Sequence, residues 1–182
     1  MSDPKSAIEQ YNNLILIEES LEKKTWTSKC YIEVIKIKIR TNDMNDISTQ
    51  INQLLLASSN LSKYDQNTTI DTIFECVKDI KNNKVKTDIY ESLIDYLKEK
   101  QMDQLWLSTI LKMAKIYMDS DRQDKLESTI NEIKLSSIYH QLAQNFGDIK
   151  NINTLLDIAS YEIQLCLNKV IFSLVKIFIA GF

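Results

Sequence analysis

Two glycines and one proline in 182 residues leave this chain with almost none of the punctuation that β-rich folds require. Average proteins carry about 7% glycine and 5% proline. Sheets use both at their many turns, so the scarcity points to helices joined by short polar links. Glycines only at positions 147 and 181 also exclude a glycine-rich phosphate loop. Histidine occurs once, as His140, so no histidine pair exists for a metal or a proton relay. Three cysteines, Cys30, Cys76 and Cys166, stand far apart without a CxxC pairing. They read as small apolar residues in a reducing compartment, not as zinc ligands or a disulfide framework. Lysine and arginine are spread along the chain and the net charge is −3, which argues against a nucleic-acid footprint. The opening MSDPKSAIEQYNN lacks the basic start and apolar core of a secretory signal, so cytoplasm and nucleus are the expected locations.

What is present is ordinary globular material, 44% hydrophobic and 26% charged, enough for one domain with a real core. Its apolar residues recur at helical spacing. Asp3 caps a first helix with Pro4 at its first position, and Ile8, Tyr11 and Ile15 form its stripe. Met44, Ile47, Ile51, Leu54 and Leu55 give a second clean stripe, and Ile70, Ile73, Phe74, Val77 and Ile80 another. Ile89, Leu93 and Leu97 follow, then Trp106, Ile110, Met113, Ala114 and Tyr117, then Leu126, Ile130 and Ile133. Ile152, Leu155, Leu156, Ala159, Ile163 and Cys166 mark the last. The segment 33–40 alternates apolar and charged residues as a strand would, but Trp26, Cys30, Val34 and Ile37 fit a helix and no hairpin partner lies nearby. It is assigned as helix.

Polar breaks fall at 22–25, 40–42, 58–66, 82–83 and 120–123, and the longest spans 137–151. The result is an all-α chain of about eight helices, arranged as an α-solenoid of antiparallel, TPR-like helical hairpins. Hairpin starts near Asp3, Asn42, Lys84 and Ser120 are spaced within the range of such repeats. Each hairpin exposes an apolar face that only a neighbour can bury, and such arrays bind long partners along their surface.

No catalytic constellation is visible. The carboxylates Glu18/Glu19, Asp43/Asp46 and Asp119/Asp121 fall at helix ends or on polar faces, where capping and solvation are their expected roles. The serines lack a nucleophile elbow. The chain is therefore expected not to be an enzyme, with no metal and no cofactor of its own. Trp26 and Trp106 are each followed by apolar residues at helical spacing and read as core residues. Lys23, Lys24 and Lys29 surround Trp26 at the first hairpin turn, either as a solvated turn or as a contact for an anion or acidic protein.

Several stretches resemble one family. The start Asp3-Pro4-Lys5-Ser6-Ala7-Ile8, the turn from Trp26 to Lys29, the run DQLWLSTILKMAKIY from Asp103 to Tyr117 and the run LLDIASYEIQL from Leu155 to Leu165 are similar, in order and register, to the COP-nine signalosome subunit two family. The paralogous proteasome-lid subunit fits the first hairpin less well. The resemblance implies a non-catalytic scaffold of a complex that removes the ubiquitin-like modifier Nedd8 from cullin–RING ubiquitin ligases. It implies other signalosome subunits and a cullin–RING ligase as partners; from charge and hydropathy, nucleic acid is not expected and a membrane is not favoured. It also places Lys23 and Lys29, on either side of Trp26, where the family is thought to face the ligase and a bridging inositol polyphosphate. A free-standing helical-repeat adaptor of proteasome-lid ancestry is the alternative.

The similarity covers residues 3–166, so a helical-repeat domain is expected over 1–167 and a divergent apolar tail over 168–182. The family's acidic amino-terminal tail and its carboxy-terminal PCI/winged-helix domain are expected to be absent. The 13 residues from Val170 to Phe182, with Lys176 among them, fall short of the ~20 apolar residues that span a bilayer. Three readings of the tail stay open: a terminal helix packed on the last repeat, a truncated or mis-spliced product, and, least favoured, a membrane anchor.

Overall fold

The computed structural model describes residues 3–21, 24–144 and 149–180, with side chains at all of these except 24, 149, 150, 152, 174 and 176–180. Among the described residues all regular structure is helical, in nine helices. They are α1 (Pro4–Ser20), α2 (Lys24–Arg40), α3 (Ile47–Ser58), α4 (Lys63–Lys78), α5 (Asn83–Glu99), α6 (Asp103–Asp119), α7 (Gln123–Leu135), α8 (Ser137–Gln144) and α9 (Ile149–Ala180). The fold class is the all-α helical-repeat class expected from the periodicity. Segment 33–40 is helical, as assigned.

Side chains rather than glycines set the helix boundaries. Asp3 accepts a hydrogen bond from the Lys5 N–H at 3.3 Å, ahead of Pro4 at the first helical position. At α4, Ser62 accepts from the Asp65 N–H (3.2 Å) while its hydroxyl donates to the Asp65 carboxylate (2.6 Å), a reciprocal cap. At α5, Asn82 accepts from the N–H groups of Lys84 and Val85. Helices α2, α5 and α6 end in the same way. A residue with positive φ follows each: Asn42 (55°), Gln101 (54°) and Asp121 (53°). The next N–H then reaches back over the last turn, from Asp43 to the Lys38 carbonyl, from Met102 to that of Leu97, and from Arg122 to that of Tyr117, each at 2.9 Å. Glycine usually occupies this left-handed position, so the chain accepts some backbone strain at three helix ends.

The chain divides into two compact units, residues 1–92 and 93–182, with the division inside α5. In the first, α2 packs against α1, α3 and α4. Its core holds Val34 and Ile35 of α2, Ile47, Ile51 and Leu54 of α3, and Ile70, Ile73 and Val77 of α4, all essentially without solvent contact. The α2–α3 link is held by Lys38, whose ammonium donates to the Asn45 carbonyl at 2.8 Å and to the Asp43 carboxylate at 3.4 Å. The Asn45 N–H first, and Lys38 next, keep the Asp43 carboxyl below its ordinary range.

In the second unit, α6 buries Trp106, Leu107, Ile110, Met113, Ala114 and Tyr117 against α7, α8 and α9. Buried Thr109 and Thr129 donate to the carbonyls of Leu105 and Lys125 one turn back, so polar side chains reach the interior with their hydroxyls satisfied. Two ion pairs link α9 to α7 at the surface. Glu127 pairs with Lys169 at 2.7 Å, and Lys134 with Glu162 at 2.6 Å. Seven residues later on α7 is seven residues earlier on α9, so the two helices run antiparallel.

Four sequence-based expectations need correction. The long break at 137–151 contains an additional helix, α8. Ile138 and Leu142, four residues apart, are buried, and the Ser136 hydroxyl accepts from the Tyr139 N–H at the helix start. Trp26 is not a core residue, being 58% exposed. The buried face of α2 instead carries Thr27, Ser28, Cys30, Tyr31, Val34 and Ile35, because small hydroxyl residues serve as interior positions there. On α9 the buried residues are Ile158, Tyr161 and Leu165, whereas Leu156 and Ile163 of the expected stripe are exposed. The Ile152 of that stripe lies outside the described side chains. Cys166, expected among the apolar interior, is exposed, while Cys30 and Cys76 are buried. Helix α9 continues without interruption across position 167. No helix among the described residues is long and apolar enough to cross a membrane.

Candidate functional site

The first hairpin carries the residues singled out from sequence. Ile17 and Glu18 accept from the Leu21 N–H with their carbonyls and close α1 (3.1 and 3.2 Å). Lys23 lies outside the described residues, and of Lys24 only the backbone, opening α2, is described. Trp26 and Lys29 are both exposed. One helical turn apart, they meet: the Lys29 ammonium stands 4.7 Å from the centroid of the Trp26 ring. With Thr27, Ser28, Cys30 and Tyr31 turned inward, the outer edge of the hairpin presents an aromatic plane topped by a cation.

A second feature of the same hairpin was not legible in the sequence. Glu18, Glu19, Thr27, Tyr31, Gln53, Leu56 and Ala57, from three helices, line a cavity of about 320 Å³. The Tyr31 hydroxyl donates to the Glu19 carboxylate at 3.3 Å. Burial, then the Glu19 charge, then that hydrogen bond push the Tyr31 phenol up to about 12. Burial and the nearby Glu18 carboxylate push the Cys30 thiol up in the same way, which keeps it protonated and unreactive. The hairpin therefore has a cationic outer edge and an acidic recess. In sequence, Glu18 and Glu19 read as solvated residues of a polar helix end, and only the fold brings Tyr31 and Gln53 beside them.

This arrangement can bind by charge and stacking. It shows no nucleophile paired with a base. Among the described residues no group of three or more His, Cys, Asp or Glu side chains could hold a metal ion. His140 is exposed on α8, set edge-on to the Tyr139 ring with centroids 6.0 Å apart.

Fold and site together define an all-α helical-repeat protein with a basic, aromatic edge on its first hairpin. Over 164 residues, 90% of its length, the chain is 27% identical to COP9 signalosome complex subunit 2 of Drosophila melanogaster, covering 36% of that protein. The subunit 2 of Caenorhabditis elegans is 26% identical over 160 residues (87% of this chain, 31% of the relative). That of Dictyostelium discoideum is 23% identical over 168 residues (87% and 35%). The chain is thus similar to COP9 signalosome subunit 2 proteins, and it spans about a third of the length of the curated relatives it matches. No family model and no solved structure matches it.

Proposed function

We propose that this chain is a non-catalytic scaffold component of a signalosome-type complex, present in cytoplasm and nucleus. In this account its first hairpin contacts a cullin–RING ubiquitin ligase and so supports deneddylation by another subunit. Lys29 is the contact residue within the described structure, and Lys23, which lies outside the described residues, is the second. An inositol polyphosphate bridging the two proteins would pair its phosphates with these lysines, whose ammonium groups bind phosphate as point charges.

The observation that carries the reading is the similarity to subunit 2 proteins along nearly the whole chain, with an exposed Lys29–Trp26 pair where the resemblance expects a ligase contact. Purified chain is expected to bind a neddylated cullin–RING complex at low salt, and more tightly with inositol hexakisphosphate added. Surface contacts of this kind weaken as salt rises above about 0.15 M. Absence of binding at low salt, with or without the polyphosphate, overturns the proposal.

A further inference from the structure

The face of α9 turned away from α6, α7 and α8 is apolar. Leu156, Ile163, Leu167, Val170 and Ile171 are each between 51% and 61% exposed. The last four stand 7, 11, 14 and 15 residues beyond Leu156, and at about 100° per residue those steps return to one side of the helix. The buried Ile158, Tyr161 and Leu165 occupy the opposite side. Charge is kept off the outer stripe. From Leu156 to Val175 the charged residues are Asp157, Glu162 and Lys169. Glu162 and Lys169 pair with Lys134 and Glu127 of α7, at 2.6 and 2.7 Å, on the packed side. Asp157 stands about a quarter of a turn from Leu156.

Spacing, charge and area together say what covers the stripe. Ile163, Leu167 and Val170 follow the four-then-three spacing by which two helices pack along a shared seam. A strongly charged partner would find no counter-ion there. A second copy brings a helix of the same pitch with the same uncharged stripe, and a two-fold axis makes such a patch complementary to itself. Leu156 also borders an apolar groove of about 350 Å³ between α8 and α9, beside Tyr139, Ala143 and Leu155. The five half-exposed side chains present apolar surface on the order of 500 Å², a size that often marks an interaction site. Ser160, Gln164 and the groove extend it toward the roughly 800 Å² per partner of a stable interface. We infer that two copies of this chain pair through the outer face of α9, helix against helix, with Ile163 and Leu167 at the centre of the contact. The inference goes beyond the proposed ligase contact and does not rest on it, since that contact uses the first hairpin.

The test is sedimentation equilibrium of the full 182-residue chain at rising concentration. The mass should climb from one chain to two between about 1 and 100 µM, as suits an interface at the small end of the stable range. Ile163→Asp and Leu167→Asp should each weaken the dimer at least about tenfold, because each puts a charge at the centre of an apolar contact. Both side chains are exposed, so the variants keep the fold. Leu135→Asp alters a leucine that is 85% exposed on α7 and should leave the dimer unchanged. A second readout uses Cys166, which is exposed while Cys30 and Cys76 are buried. A nitroxide label there neighbours Leu167, and with paired helices about 8–10 Å apart the two labels of a dimer should lie within about 30 Å. A chain that stays monomeric at 100 µM overturns the inference. So does a dimer that both α9 variants leave intact, or one whose labels lie beyond about 40 Å. Monomeric chain that floats with phosphatidylcholine vesicles would also overturn it, assigning the face to lipid.

Discussion

The Lys29 ammonium stands 4.7 Å from the centroid of the Trp26 ring, one turn into α2 and open to solvent. An exposed cation–aromatic pair contributes about 0.5–1 kcal/mol to the helix, so its value to the fold is small. Lys29→Glu should therefore leave thermal unfolding almost unchanged while weakening binding of a neddylated cullin–RING complex and of inositol hexakisphosphate. Calorimetric titration beside a melting curve separates the two effects. Equal affinity for the variant and the unaltered chain would remove Lys29 from the contact.

The two tryptophans should respond differently to truncation. Trp106 is packed among the buried residues of α6, and Trp106→Ala should cost about 3–5 kcal/mol in urea unfolding. Trp26 is more than half exposed, and Trp26→Ala should cost within about 0.5 kcal/mol. Similar losses for both would contradict the placement of α2.

Gln101 carries the least suitable side chain of the three left-handed helix ends. Asparagine and aspartate tolerate positive φ through local hydrogen bonds, whereas glutamine gains little there. Gln101→Gly should raise stability by about 1 kcal/mol, net of the extra freedom glycine gives the unfolded chain. Equilibrium denaturation is the check, and a loss of stability would mean that φ is not positive at this position.

Tyr31 predicts an alkaline limit. Its phenol titrates near 10 in the unfolded chain and is pushed up to about 12 in the fold, so the folded state holds the proton longer. Its contribution is complete below pH 10 and is lost as the pH rises to about 12. Tyr90 and Tyr161, also raised by burial, act in the same direction. Urea midpoints measured from pH 9 to 12 should fall less steeply for Tyr31→Phe than for the unaltered chain.

Sequence periodicity foresaw α6 best, where Trp106, Ile110, Met113, Ala114 and Tyr117 are all buried as the spacing required. It failed where hydrophobicity does not select one face. Helix α9 is apolar around most of its circumference, so local spacing could not choose between Leu156 and Ile158. Packing against α6, α7 and α8 made the choice, turning the buried face by roughly a third of a turn, and the Glu127–Lys169 and Lys134–Glu162 pairs accompany it at the surface. Trp26 was misplaced because only apolar residues were counted, while buried Thr27 and Ser28 occupy the inward positions. At the candidate site, Lys29 and Trp26 were visible because their contact is local, three residues apart. The acidic recess was not, since residues from different helices meet only once the chain has folded.

The most direct test of the scaffold account is affinity purification of the tagged chain from cells, followed by mass spectrometry of what accompanies it. The account predicts recovery of signalosome subunits together with cullins, with the cullins reduced for Lys29→Glu and the subunits retained. Recovery of proteasome-lid subunits instead, or of neither complex, would contradict it.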